Sequence, residues 1–95
     1  MRVVWTRPAL RELDAIGEYI ARQSTAAAER TVRRILEETE RLADHPHIGR
    51  PGRIAGTREL IVVSTPFIVP YRVRDETVEV LSVFHAKRKW PDKFD

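Results

Sequence analysis

Cysteine is absent from the 95 residues of this chain. That removes disulfide frameworks, thiolate zinc sites and cysteine nucleophiles together, and it suits a reducing compartment. Long apolar runs are missing too. No stretch approaches the roughly 20 residues that a membrane helix needs, and the N-terminal residues lack the apolar core of a secretion signal. A cytoplasmic protein with no membrane contact is therefore expected. Histidine is scarce, at three residues. His45 and His47 have no third ligand nearby except Asp44, and His85 is distant in sequence, so the expectation is loop or capping histidines, with no metal and no cofactor.

What is present fits one domain over residues 1–95, near the size at which a single core suffices without metals or disulfides. The formal net charge is +3, and nine of the Arg and Lys residues lie between Arg50 and Lys93. Charges before Arg50 mostly alternate in sign. A late basic excess suits binding to nucleic acid or to an acidic protein.

The β-branched residues gather in 57–90. A two-residue loop at Asp75-Glu76 would pair 67–74 with 77–84 as an antiparallel hairpin. Alternation then puts Phe67, Val69, Tyr71 and Val73 on one apolar face with Val78, Val80, Ser82 and Phe84. The opposite face carries Ile68, Pro70, Arg72 and Arg74 with Glu79, Leu81, Val83 and His85, and Arg72 opposes Glu79. Type I′ turns favour Gly or Asn, and this loop has neither, so a longer loop starting at Arg74 stays open as an alternative.

Upstream, residues 2–5 form a short β-prone segment expected at a sheet edge. Thr6 can cap a helix with Pro8 in its first turn, where a missing N–H costs nothing. Leu10, Leu13, Ile16, Gly17 and Ile20 recur at helical spacing. Ser24 or Thr25 opens a second helix with the stripe Ala28, Val32, Ile35, Leu36, Thr39, Leu42 and Ala43. Its outer charges, among them Arg34/Glu38 and Glu37/Arg41, read as a solvated face of i,i+4 pairs worth roughly 0.2–0.5 kcal/mol each. HPHIGRPGRIAG, at 45–56, is loop. The predicted fold is α+β: an N-terminal strand and an antiparallel helical hairpin packed on a small antiparallel sheet.

Taken in order, these elements resemble the RelE/ParE superfamily of toxins from bacterial type II toxin–antitoxin modules. The segments that carry the likeness are LADHPHIGRPGRIAGTREL at 42–60, YRV at 71–73 and VLSVFHAKRKWP at 80–91. The resemblance covers nearly the whole chain and favours the ParE-like branch. It implies a growth-inhibiting, plasmid-stabilising toxin held in a hetero-oligomer by a cognate ParD-like antitoxin.

RelE-like members cleave ribosome-bound mRNA with clustered lysines and arginines and a tyrosine. Here the matching positions hold Glu59, Ile61 and Ile68. Arg88 survives, and Phe94 stands where the tyrosine would be. ParE-like members act on DNA gyrase without chemistry of their own, for which the resemblance implies a target-binding end at Lys87, Arg88, Lys89 and Trp90, with Lys93 and Phe94 close by. A solvated tail with Trp90 packed on the sheet is the plainer alternative for that cluster. A ribosome-dependent endoribonuclease would instead use Arg58, His85 and Arg88. Arg72 lies roughly 20 Å from His85 along the strands and cannot join them. A degenerate toxin that retains only antitoxin binding is the third alternative. The antitoxin is expected along the helical hairpin and an exposed sheet face bearing Ile68, Arg72, Leu81 and Val83.

Overall fold

The computed structural model describes residues 1–87 and residue 94. The chain opens with strand β1 (Arg2–Trp5) and continues into helix α1 (Arg7–Ala21) and helix α2 (Thr25–Glu40). Thr6 joins strand to helix in two ways. Its Oγ accepts from the Ala9 N–H at 3.4 Å, capping α1, and its hydroxyl donates to the Val80 carbonyl at 2.8 Å. Ser24 caps α2 through the Ala27 N–H at 3.1 Å. A short 3₁₀ turn, Arg41–Ala43, ends the hairpin.

Five further strands follow: β2 (Arg50–Pro51), β3 (Arg58–Ile61), β4 (Phe67–Arg74), β5 (Thr77–Val80) and β6 (Phe84–His85). Among the described residues they form one sheet with β1, in the order β1-β5-β4-β3-β2, with β6 also on β4. The N-terminal strand does lie at an edge, paired parallel to β5, so the sheet is mixed. The helices cover one face. Ala9 and Leu13 of α1, Ile35 of α2 and Leu42 meet Leu60, Val62, Val69, Tyr71, Val78 and Val80 in one core. Each buried aliphatic side chain there contributes about 1.5–3 kcal/mol. Gly17 permits close approach of the helices, since a Cβ at that position would lie 3.2 Å from Val32 Cγ2. Leu10 and Leu36, expected in the apolar stripes, are instead exposed on their flanks. Arg34, expected to pair with Glu38, donates from Nε to the Val63 carbonyl at 3.1 Å, and Arg41 reaches Glu38 rather than Glu37.

The hairpin register follows the two-residue loop: Tyr71 faces Val80, Arg72 faces Glu79 and Arg74 faces Thr77. Asp75 and Glu76 adopt φ of 52° and 56°. Both are left-handed, as type I′ requires; Asp75 is tolerated there, but Glu76 stands where glycine is favoured. Replacing the pair with Asn-Gly is expected to stabilise the fold by about 1 kcal/mol. A urea midpoint that rises at unchanged slope would confirm it, and a lower midpoint would refute it.

Beyond Val80 the expected parity fails. The Leu81 N–H still donates to Pro70, as the loop dictates, but β6 then places Phe84 opposite Ile68 and His85 opposite Phe67. One extra residue has entered the strand, a β-bulge. The physical reason lies at Ser82. This buried side chain leaves the ladder to donate to Glu12 Oε1 of α1 at 2.7 Å, and Val83 turns into the core beside it. Phe84 therefore leaves the face of Tyr71, and His85 joins the face of Phe67, whose ring it meets edge-on at 5.7 Å.

Candidate functional site

The bulge shapes a concavity beside α1. A groove of about 920 Å³ runs between α1 and the 64–67 and 81–85 segments. Ile16, Tyr19 and Ile20 line it from α1, opposite Phe67, Leu81, Val83 and Phe84. Phe94 closes one side, its ring centroid 6.1 Å from that of Phe84. The walls are mainly apolar, with polar side chains that include Arg11, Glu12, Ser82 and His85, which is how peptide-binding and small-molecule clefts are built. Tyr19 stands on the rim and is 69% exposed.

Ile68, Leu81 and Val83 were expected on an exposed sheet face, and in that respect the structure corrects the sequence. All three are buried. Leu81 and Val83 line the groove instead. Arg72, the fourth of that set, is pinned elsewhere: its Nε lies 2.7 Å from Glu79 Oε1, as the cross-strand pairing implies.

Arg72 belongs to a second surface, the outer face of the sheet. Glu79 there also receives Arg74, at 3.3 Å. One strand pair away, the buried Glu59 carboxylate accepts from Arg50 Nε at 3.0 Å and from the Arg53 backbone N–H at 3.0 Å. Glu59 thus folds the 50–56 loop against β3. The Arg72 hydrogen bond, reinforced by the charges of Arg72 and Arg74, holds the Glu79 carboxyl below its ordinary value of 4.5 against an opposing effect of burial. A carboxylate depressed in the folded state stabilises above its unfolded value and loses that contribution as pH falls through its folded value. Stability should therefore decline below about pH 4.5, and Glu79→Gln should flatten that part of the acid limb in urea titrations. An unaltered acid limb would show that the pair is too screened to matter.

Arg58 and His85 do not converge. Arg58 faces Tyr71 across one edge of β4, and His85 faces Phe67 across the other. Four residues along the strand and two strand spacings across put their Cα atoms about 16 Å apart. Each is also engaged locally. The Arg58 guanidinium donates to the carbonyls of Gly49 at 2.8 Å and His47 at 3.2 Å, and His85 Nδ1 accepts from the Lys87 N–H at 3.2 Å. Arg88, Lys89 and Trp90, the other members of the sequence-derived sets, lie outside the described residues, and Lys87 is exposed. Among the described residues no group of three metal-binding side chains assembles around His45, His47 or His85.

Comparison with known proteins agrees with this layout. Residues 3–90 match a family model described as the ParE toxin of the type II toxin–antitoxin system parDE. Y4kP of Sinorhizobium fredii strain NGR234, named as a toxin, is 49% identical over 90 residues, covering 95% of this chain and 93% of that protein. Toxin RelE2 of Caulobacter vibrioides is 40% identical over 87 residues, covering 92% and 97%. Among solved structures, a chain of the chromosomal ParDE system of P. aeruginosa superposes with a TM-score of 0.81 at 31% identity, covering 90% of this chain and 95% of that one. A chain of the RelBE2 toxin–antitoxin complex of Mycobacterium tuberculosis gives 0.65 at 26% identity, covering 88% and 95%.

Proposed function

From the premise that the chain belongs to the ParE toxin family of type II toxin–antitoxin systems, we propose that it arrests growth in the cytoplasm by binding DNA gyrase, without cleaving RNA itself. The observation that carries this is the separation of Arg58 from His85. Ribonucleolytic chemistry needs a base and a cationic phosphate clamp within hydrogen-bond reach of one scissile group. Here the two lie on opposite edges of β4, and the positions that the resemblance matches to the cations of RNA-cleaving members hold Glu59, Ile61 and Ile68. A carboxylate and two aliphatic side chains cannot stabilise a pentacovalent phosphate.

A cognate antitoxin occupies the groove between α1 and the bulged strand. Its chemistry is that of an amphipathic segment, disordered alone, which lays apolar side chains against Ile16, Ile20 and Leu81. Toxin–antitoxin complexes among the structural relatives support such a partner.

The test is a paired assay on antitoxin-free protein. Gyrase supercoiling is followed with detection of cleaved DNA, alongside mRNA integrity on programmed ribosomes. Trapped gyrase–DNA breaks with intact mRNA are expected. Cleaved mRNA with normal supercoiling would overturn the proposal and redirect attention to His85. Inactivity in both assays, with antitoxin binding retained, would identify a degenerate toxin.

A further inference from the structure

The outer sheet face has features that neither the groove nor the family assignment uses. Arg50, Arg53, Arg72 and Arg74 gather there around Glu59 and Glu79, two guanidiniums to each carboxylate. These six side chains carry a formal charge of +2. The arginine side chains remain between 37% and 57% exposed while their carboxylates are largely covered. A carboxylate set beneath two guanidiniums fixes their orientation and leaves outward N–H donors for a second anion.

We propose that this face binds the phosphate backbone of double-stranded DNA without reading its sequence. Two observations select that ligand. Arg50 and Arg74 are separated by two strand spacings and four residues of register, about 16 Å between Cα atoms, a span of a few phosphates of one strand. Single-stranded nucleic acid is gripped by exposed aromatic rings, and the one aromatic side chain of β4 at this end, Tyr71, is buried on the helix side. What remains is an ordered row of guanidiniums on a sheet. It suits a regular polyanion.

The proposal does not depend on gyrase, and its test leaves gyrase out. The full chain, free of antitoxin, is titrated onto a fluorescein-labelled duplex of arbitrary sequence by anisotropy, between about 50 and 200 mM salt. Arg72→Gln with Arg74→Gln should weaken binding at every salt concentration and reduce the slope of log K against log salt by about 2. Glu79→Gln, which removes a negative charge and frees both guanidiniums, should tighten binding several-fold. Arg30→Gln with Arg33→Gln makes the same net-charge change on the exposed side of α2 and should leave the slope unaltered. Native far-UV circular dichroism for each variant separates a binding effect from unfolding. Three outcomes would overturn the proposal: no binding at low salt, variants that follow net charge regardless of position, or tighter binding to a single-stranded RNA of equal length than to the duplex.

Discussion

Tyr71→Ala is expected to cost about 3–5 kcal/mol, a large share of the roughly 5–15 kcal/mol available to a domain of this size. Tyr71 is fully buried at the centre of the sheet, so truncation leaves a ring-sized void beneath the helices. It also unlocks the loop. The Tyr71 hydroxyl accepts from the Gly49 N–H at 2.9 Å and donates to the Pro46 carbonyl at 2.8 Å, fixing the chain just after the 3₁₀ turn. Gly49 is matched to that hydroxyl, because a Cβ there would lie 2.6 Å from it. Tyr71→Phe isolates the polar part. It keeps the ring but strands a buried donor, which costs about 1–3 kcal/mol. The melting temperature should fall by at least about 12 °C in the alanine variant.

A second signature distinguishes the hydroxyl from the ring. Burial raises the Tyr71 pKa above its ordinary 10.0, opposed by the Gly49 hydrogen bond and the Arg58 charge. A group whose folded pKa is raised stabilises fully below its unfolded value and loses that contribution as pH rises through the folded value. The wild-type protein should therefore lose stability above about pH 10, and Tyr71→Phe should lack this loss. If Tyr71→Phe unfolds within about 0.5 kcal/mol of wild type, the loop is held by something other than this hydroxyl.

Much of the sheet could be read from parity alone. The pairing of Arg72 with Glu79, the edge position of β1 and the caps at Thr6 and Ser24 follow from local rules: alternation, strand length and side-chain oxygen chemistry. The bulge could not be read that way. An inserted residue leaves no mark on a segment whose two faces are both apolar, and residues 80–84 are Val-Leu-Ser-Val-Phe. Ser82 was the available signal, a lone hydroxyl in an apolar run. Its partner, Glu12, lies 70 residues away, and no local pattern links them. Glu59 was misjudged in a related way. Compared position by position with a nuclease it is only a missing lysine, whereas in the fold it is the buried anchor of Arg50 and Arg53. Both failures concern side chains whose roles depend on long-range contacts, and both bear on the candidate surfaces: Ser82 shapes the groove, and Glu59 organises the cationic face.

If the groove is the antitoxin site, Tyr19→Ala should weaken antitoxin binding by about 2 kcal/mol or more, roughly 30-fold. Tyrosine offers a large, rigid contact surface with little rotamer entropy to lose, and interface energy concentrates at such anchors. Tyr19 is suited to that part because the free protein makes so little use of it. With 69% of its surface exposed at the groove rim, its removal should change folding stability by no more than about 0.5 kcal/mol. Loss of affinity could then not be attributed to a damaged toxin. Titration calorimetry with the cognate antitoxin would give the affinity directly. Growth gives an independent measure: the Tyr19→Ala toxin should remain as inhibitory as wild type when expressed alone, yet escape neutralisation at antitoxin levels that silence the wild type. Antitoxin affinity within twofold of wild type would place the antitoxin on another surface. Loss of toxicity by the variant alone would mean that α1 also meets the target, so that antitoxin and target compete for the same groove.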